Sequence, residues 1–400
     1  VLSGRASGTD LMLDGTRSYF STDGCGMQTV DFETGDLRAS CKDDVAKMAR
    51  VADYLSSIAF YWPMVSAQDY GRTAPLHQCH AGLTNTLKHV RGGMTVPREL
   101  APYVVEMATA VAGSAESLRR RPPICANFCT IAPLAQDGHS LDNALTYAEA
   151  GIPISFMAMP TMGSTAPATP LGALVMGDGE VVSGMVLVQL GFPCAPVFHS
   201  NYISLMHPRT GGYVSGLPIP LSWMAVQMAH AWGVPSLGGG SVSIDETELN
   251  WTAGLDTGMG ATLTPFYGGE VCGYLGLSGS SMILHPELMI LQHDACRYAH
   301  ELLHSFEFDE VSMALDVIAE VGPRSHYLRQ KHHRKHIRDF RLPSLEQEDA
   351  DGNPRDAQEV ALAEFKRLNE THRPRPLPDE VLVELDSSLA AAEGEVERMG

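Results

Sequence analysis

The sequence predicts an α/β fold: a (β/α)8 TIM barrel with a small N-terminal β cap and a C-terminal helical appendage. Seven or eight short apolar runs alternate with segments of helical spacing. That alternation implies a parallel sheet, and that number favours a closed barrel over an open doubly wound sheet. Four hundred residues at 44% apolar composition can bury the core of one large domain or two ordinary ones.

The elements follow in order. Residues 1–40 alternate apolar and polar positions around Asp-Gly and Thr-Gly turn signals, which predicts the β cap. From Ser40 the spacing of Val45, Met48, Val51, Ala52 and Leu55 predicts a helix, followed by the apolar run "IAFYWPMVSA". Strands are then predicted in the runs 89–96, 123–131, 153–160, 194–201, 234–242, 260–267 and 271–277. Helices are predicted over 76–88, 97–116, 141–150, 170–190, 217–231, 245–256 and 286–305. Ser140 reads as an N-cap, Gly151 as a stop, Thr169-Pro170 as a helix entry and Ser243 to Glu246 as a capping box. The barrel is expected over 41–322, with a linker and two helices (357–371 and 378–398) in the appendage 323–400.

Composition excludes several classes. With 28 Lys+Arg against 47 Asp+Glu, the net charge of -19 opposes a nucleic-acid partner. Eight scattered cysteines lack the density of a disulfide framework, which fits reduced thiols in a cytoplasm. No run of about 18 apolar residues stands out as a membrane span. His77, Cys79 and His80 do not share one helix face and have no evident fourth ligand, so no metal site is expected. Cys125 and Cys129 face one side of their strand.

In a barrel the site lies where the strands end. The link Met157–Val175 is such a loop, and Gly163, Ser164, Thr165 and Ala166 are small and uncharged, as a rim against a ligand would be. Strand-end candidates for binding a substrate are Tyr61, Trp62, Phe128, Phe156, His199, Asn201, Phe266, Tyr267 and Glu270. Aromatic faces and a carboxylate are what hold a quaternary ammonium group. Glu270 stands in an apolar, Gly-rich stretch where an unpaired carboxylate is costly to bury.

The segments "MGSTAPATPLGALV", "LGGGSVSIDETELNWTAGLDTGMGATL" and "SHYLRQKHHRKHIRDFRLPSL" resemble the trimethylamine methyltransferase superfamily of corrinoid-dependent enzymes. The opening "YFSTDGCGMQTVDFETGDLRASCKDDVAKMARVADYL" is similar too, so the resemblance covers most of the chain. It implies an enzyme that moves a methyl group from a quaternary or methylated amine to the cobalt of a separate corrinoid protein. No cofactor would be held tightly, and the corrinoid would be carried by the partner. Members that demethylate trimethylamine carry pyrrolysine in the segment corresponding to Gly239–Asp245. Here that segment reads "GGSVSID", with no such residue and no Lys. The chain therefore resembles the non-pyrrolysine branch, which includes a glycine betaine methyltransferase, with Gly239, Gly240 and Ser241 at the site rim. Two other readings stand beside it: a non-catalytic sensor of a betaine-like ligand, and a lyase-type barrel, which would want a strand-end Lys. A homo-oligomer is left open.

Overall fold

The computed structural model describes residues 1–399 except 25, 215–218, 303–307, 339–344, 346–347 and 349–350, and gives backbone alone for 219–220, 239–241, 272 and 302. Among the described residues, eight parallel strands form one curled sheet: β1 Tyr19–Thr22, β2 Ile58–Tyr61, β3 His89–Gly93, β4 Ile124–Cys129, β5 Ile154–Ala158, β6 Val197–Asn201, β7 Leu237–Ser241 and β8 Val271–Leu275. Their spatial order is β7-β8-β1-β2-β3-β4-β5-β6. The end strands approach each other: His199 of β6 makes a parallel bridge to Ser236, and its N–H donates to the Pro235 carbonyl at 2.9 Å.

A helix follows each strand in the chain: α1 Lys42–Tyr54, α2 Ala74–Asn85, α3 Ala101–Ala112, α4 Gly138–Ala150, α5 Pro170–Gly191, α6 Ile219–Ala231, α7 Trp251–Phe266 and α8 Leu288–Leu302. Alternation divides the sheet into two faces. Ile124, Ala126 and Phe128 of β4 join the core beneath the helices, whereas Cys125 joins a separate interior cluster with Phe60, Phe198, Leu237 and Val271. Leu2 and Leu11, paired to each other, close that interior layer at the strands' amino ends. Helix α5 packs closely on the sheet. A Cβ at Gly184 would stand 2.6 Å from the Phe156 ring. Gly184→Ala is therefore expected to lower stability by about 1–3 kcal/mol, read as a lower denaturation midpoint with an unchanged m-value.

Two small sheets cover the carboxyl ends. Thr161–Met162, Ser204–Met206 and Tyr213–Val214 form one; Gln28–Val30, Leu37–Ala39, Leu277–Ser278 and Ile283–Leu284 form the other. Helices α9 Ala357–Thr371 and α10 Asp379–Met399 pack outside α1–α3 and α8. His77 meets Glu393 at 3.0 Å and His80 meets Asp386 at 3.1 Å, so this pair of histidines ties α10 to α2, while Cys79 is buried beneath them.

Several expectations are corrected. Tyr19–Thr22, assigned by sequence to the cap, is an inner strand of the main sheet: Phe20 packs under the helices while Tyr19 packs with the interior layer. The run 260–267, read as a strand, is the end of α7, which begins at Trp251 rather than 245. Its Thr and aromatic residues mimic a strand, but they line a helix that packs on α8 and β7. Ser243 to Glu246 starts no helix; Asn250 caps α7 by accepting from the Ala253 N–H. The cap of α4 is Asp137, which accepts from the Ser140 N–H. Helix α5 is long and apolar enough to cross a membrane, which the sequence reading overlooked, but half of its most apolar window is buried in the fold.

Candidate functional site

The interior face changes character from one end to the other. Toward the strands' amino ends it is the apolar layer around Phe60 and Leu237. Toward the carboxyl ends it becomes aromatic and polar, with Trp62, Met157, Tyr202 and Tyr274 forming one buried cluster. A cavity of about 110 Å³ opens there, lined by Asp23, Trp62, Met157, Met159, Tyr202, Tyr213, Tyr274, Ser280 and Ser281. That is room for a small organic group rather than a single water. Each wall comes from a strand end or the loop after it: Asp23 follows β1, Trp62 follows β2, Tyr202 follows β6, Tyr274 ends β8, and Tyr213 reaches in from a covering sheet. Met159 and Tyr213, each 38% exposed, border the mouth.

One charged residue, Asp23, lines this cavity, and a second, Arg91, stacks on its wall residue Trp62. Asp23 is buried, and one carboxylate oxygen accepts from the Gly24 N–H at 2.8 Å while Oδ2 has no partner. Burial pushes its pKa up to about 6, against the lowering pull of Ser281, Gly24 and Arg91. Arg91, on the interior face of β3, is 1% exposed with its guanidinium carbon 3.6 Å from the Trp62 ring centroid. None of its three side-chain nitrogens has a partner with hydrogen-bond geometry. The guanidinium lies near enough to Tyr274 to oppose the rise that burial imposes on that phenol.

Asn127 Oδ1, Ser155 Oγ and Ser200 Oγ, from β4, β5 and β6, are also buried without partners, on the same face of the sheet as Cys125, Met157 and Tyr202. Buried polar groups are normally satisfied, so this concentration makes the carboxyl-end interior the candidate site. Backbone strain gathers here as well: Tyr274, Ser280 and Ser281 all have positive φ, at 55°, 55° and 69°. Gly238 of β7 makes the room for Tyr274, because a Cβ there would stand 2.6 Å from the phenol oxygen.

Of the nine binding candidates read from sequence, the cavity brings in Trp62. Tyr61 donates to the Val45 carbonyl of α1, and Phe128 and Phe156 pack under the helices. His199 meets Asp178 of α5 at 2.8 Å, and Asn201 donates to the Leu174 carbonyl. Phe266, 65% exposed, and Tyr267 sit at the end of α7.

Glu270 precedes β8, at the amino end remote from the cavity, where it accepts from the Ser236 N–H at 2.8 Å and meets His230 at 3.0 Å. Its carboxylate joins two neighbouring strand connections, which is why an apolar stretch tolerates it. Glu270→Ala is expected to lower stability by about 2–3 kcal/mol and leave ligand affinity unchanged, as calorimetry on the folded variant would read. Lys88 likewise precedes β3, with its ammonium on the Ala52 and Leu55 carbonyls, so it supplies no strand-end amine.

Gly163, Ser164, Thr165 and Ala166 follow β5 at the carboxyl end. They fold into their own turn, with Thr165 Oγ1 accepting from the Thr161 N–H, and do not line the cavity. Gly239, Gly240 and Ser241 lie on β7; their side-chain surroundings fall outside the described residues. Asp23, Arg91, Tyr202, Tyr213 and Tyr274 were missed. One signal was available for Arg91: a charged residue in the middle of the apolar run "HVRGGMTV".

The cavity lies at the carboxyl ends of a curled parallel sheet, where α/β proteins hold their small-molecule sites, with the Asp23 carboxylate in its lining and the Arg91 guanidinium against its wall residue Trp62. The chain belongs to the trimethylamine methyltransferase (MTTB) family, whose model matches residues 1–395. It is similar to trimethylamine methyltransferase MttB of Desulfitobacterium hafniense (strain DSM 10664 / DCB-2), 27% identical over 404 residues that span 99% of this chain and 81% of that protein. It is also similar to the glycine betaine methyltransferase of Desulfitobacterium hafniense (strain Y51), 29% identical over 314 residues, 76% of this chain and 65% of that protein. Among solved structures, the Methanosarcina barkeri monomethylamine methyltransferase MtmB aligns with 92% of this chain and 74% of its own at a TM-score of 0.42 and 9% identity.

Proposed function

We propose that this chain transfers a methyl group from a betaine-like quaternary amine, a zwitterion, to the cobalt of a separate corrinoid protein in the cytoplasm. The observation that carries the reading is the buried Arg91 guanidinium, without hydrogen-bond partners, stacked on the cavity wall at Trp62 and near enough to the cavity's Asp23 to act on its charge. A simple cation would gain from Asp23 and the aromatic walls but meet repulsion from Arg91. A betaine offers its carboxylate to Arg91 and its ammonium to Asp23 and the rings of Tyr202, Tyr213 and Tyr274.

The chemistry asks little of the protein beyond placement. The bond from nitrogen to the methyl carbon breaks with its electron pair remaining on nitrogen, so a neutral tertiary amine leaves without a general acid. The corrinoid partner supplies the cobalt nucleophile that accepts the methyl group. Residues of this chain hold the substrate so that one methyl points at the mouth between Met159 and Tyr213, and they exclude water from the other faces. In this reading the sheet is a complete (β/α)8 barrel that begins with β1, the covering sheets frame the surface on which the corrinoid protein docks, and α9 and α10 form the appendage.

Calorimetry with glycine betaine, tetramethylammonium and trimethylamine tests the reading, together with detection of the demethylated amine when free cob(I)alamin stands in for the partner. Glycine betaine should bind more tightly than either cation and be demethylated. Demethylation of trimethylamine with no binding of any betaine would overturn it.

A further inference from the structure

Helix α5 presents an uncharged outer stripe. Leu171, Val175, Val186 and Leu190 are 64%, 70%, 49% and 76% exposed, with Gly179 and Ser183 exposed between them. The helix's charged residues, Asp178 and Glu180, both point into the fold: Asp178 meets His199, and Glu180 accepts from Thr130 and from the Leu134 N–H. Its neighbour α6 contains no Asp, Glu, Lys or Arg. Two large side chains extend the stripe sideways. Trp232, whose indole N–H donates to Asp178, is 51% exposed, and Leu134 is 71% exposed. An apolar face of this size and continuity is unusual on a monomer surface.

We propose that this face is an isologous interface with a second copy of the same chain. Three features select that occupant. The first is charge: a chain of net charge -19 repels its own copy unless the meeting surfaces carry no charge, and α5 and α6 together supply such a surface. The second is area. Weighted by exposure, the α5 stripe with Leu187, Leu134 and Trp232 offers on the order of 800 Å² of apolar surface, about what each partner contributes to a standard interface.

The third is the order of the stripe, which has Leu and then Val at each end and small residues at its centre. In an antiparallel pair about a twofold axis at the middle of the helix, Leu171 meets Leu190 and Val175 meets Val186, with the small Gly179 and Ser183 nearest the axis. The small central pair lets the two helices approach closely, and the large residues pack on either side, as an isologous contact requires. A lipid surface fits less well, because both flanks of α5 are fixed to the sheet through Asp178 and Glu180, and the helix cannot leave it.

Sedimentation of the purified chain tests this, independently of what the site binds. The parent should sediment at an even multiple of the chain mass. Val175→Glu and Val186→Lys should each halve that mass with an unchanged thermal midpoint, since the two positions are 70% and 49% exposed. The double variant should recover the parent mass, because each new carboxylate at 175 faces a new ammonium at 186 of the other copy. A monomeric parent, a single variant that keeps the parent mass, or a double variant no larger than the singles would overturn the proposal. Pelleting of a monomeric parent with phosphatidylcholine vesicles would instead assign the face to lipid.

Discussion

Arg91→Met is expected to make the fold more stable and to weaken glycine betaine binding by about 100-fold, roughly 3 kcal/mol, in the range found when one partner of a buried charge pair is truncated. The stability change follows from three guanidinium nitrogens buried without partners. Each unmade hydrogen bond costs about 1–3 kcal/mol. The stacking of the guanidinium on Trp62 returns only about 0.5–2 kcal/mol, so removing the charge and keeping the stem is a net gain in the free protein. In the complex the sign reverses, because the substrate carboxylate supplies the missing acceptors. The control ligand is tetramethylammonium, which has no carboxylate. At pH 8, where Asp23 stays ionised, its affinity should hold or rise when Arg91 is replaced. A variant that loses both ligands equally, or that is less stable than the parent, would remove Arg91 from carboxylate recognition. Thermal denaturation and titration calorimetry on the same preparation give both readings.

Asp23→Asn should abolish the pH dependence of cation binding. Burial raises the Asp23 pKa to about 6. In the parent, affinity for a betaine should be constant above about pH 7 and fall by roughly tenfold per unit below 6, as the carboxylate takes up a proton. The Asn variant should bind weakly and equally at every pH, about 1–3 kcal/mol below the parent at pH 8. The same group sets a stability difference of definite sign. Its folded pKa lies above the unfolded value, so holding Asp23 ionised destabilises the fold fully above pH 6, and that penalty disappears as pH falls below the unfolded value near 4. Asp23→Asn should therefore stabilise the protein at pH 8 and make little difference at pH 4. A parent whose betaine affinity is flat from pH 8 to 5 would mean that Asp23 does not face the bound cation.

These two effects share a cause with the backbone strain at Tyr274, Ser280 and Ser281. The chamber holds charges and conformations that an empty fold would discard, which is the pattern of a site stabilised by what it binds.

The sequence by itself determined the succession of elements wherever an apolar run was bounded by turn residues or caps. Seven of the strands, β2 to β8, fall inside runs read in advance, and α9 has the bounds expected for it. Local chemistry suffices there, because the period of apolar residues and the terminating Gly or Pro are properties of neighbouring positions. Local chemistry failed where the outcome depended on distant partners. Tyr19–Thr22 is a strand because β2 and β8 supply hydrogen bonds from about 40 and 250 residues away, an expectation no window of sequence contains.

The site was decided by tertiary structure almost entirely. In a strand, adjacent residues face opposite sides, so a list of strand-end aromatics mixes the two faces in nearly equal parts. Tyr61 went under the helices and Trp62 into the cavity. Glu270 was legible as an unusual carboxylate, but its position one residue before β8 placed it at the amino end of the sheet, where it accepts a backbone N–H. Asp23, from a stretch read as part of the β cap, became the buried carboxylate of the cavity. The sequence could say that a charge would be costly in each place, since that depends on the residue and its neighbours. Only the meeting of distant strand ends around one space decided which of those charges would face the cavity and which would meet the protein.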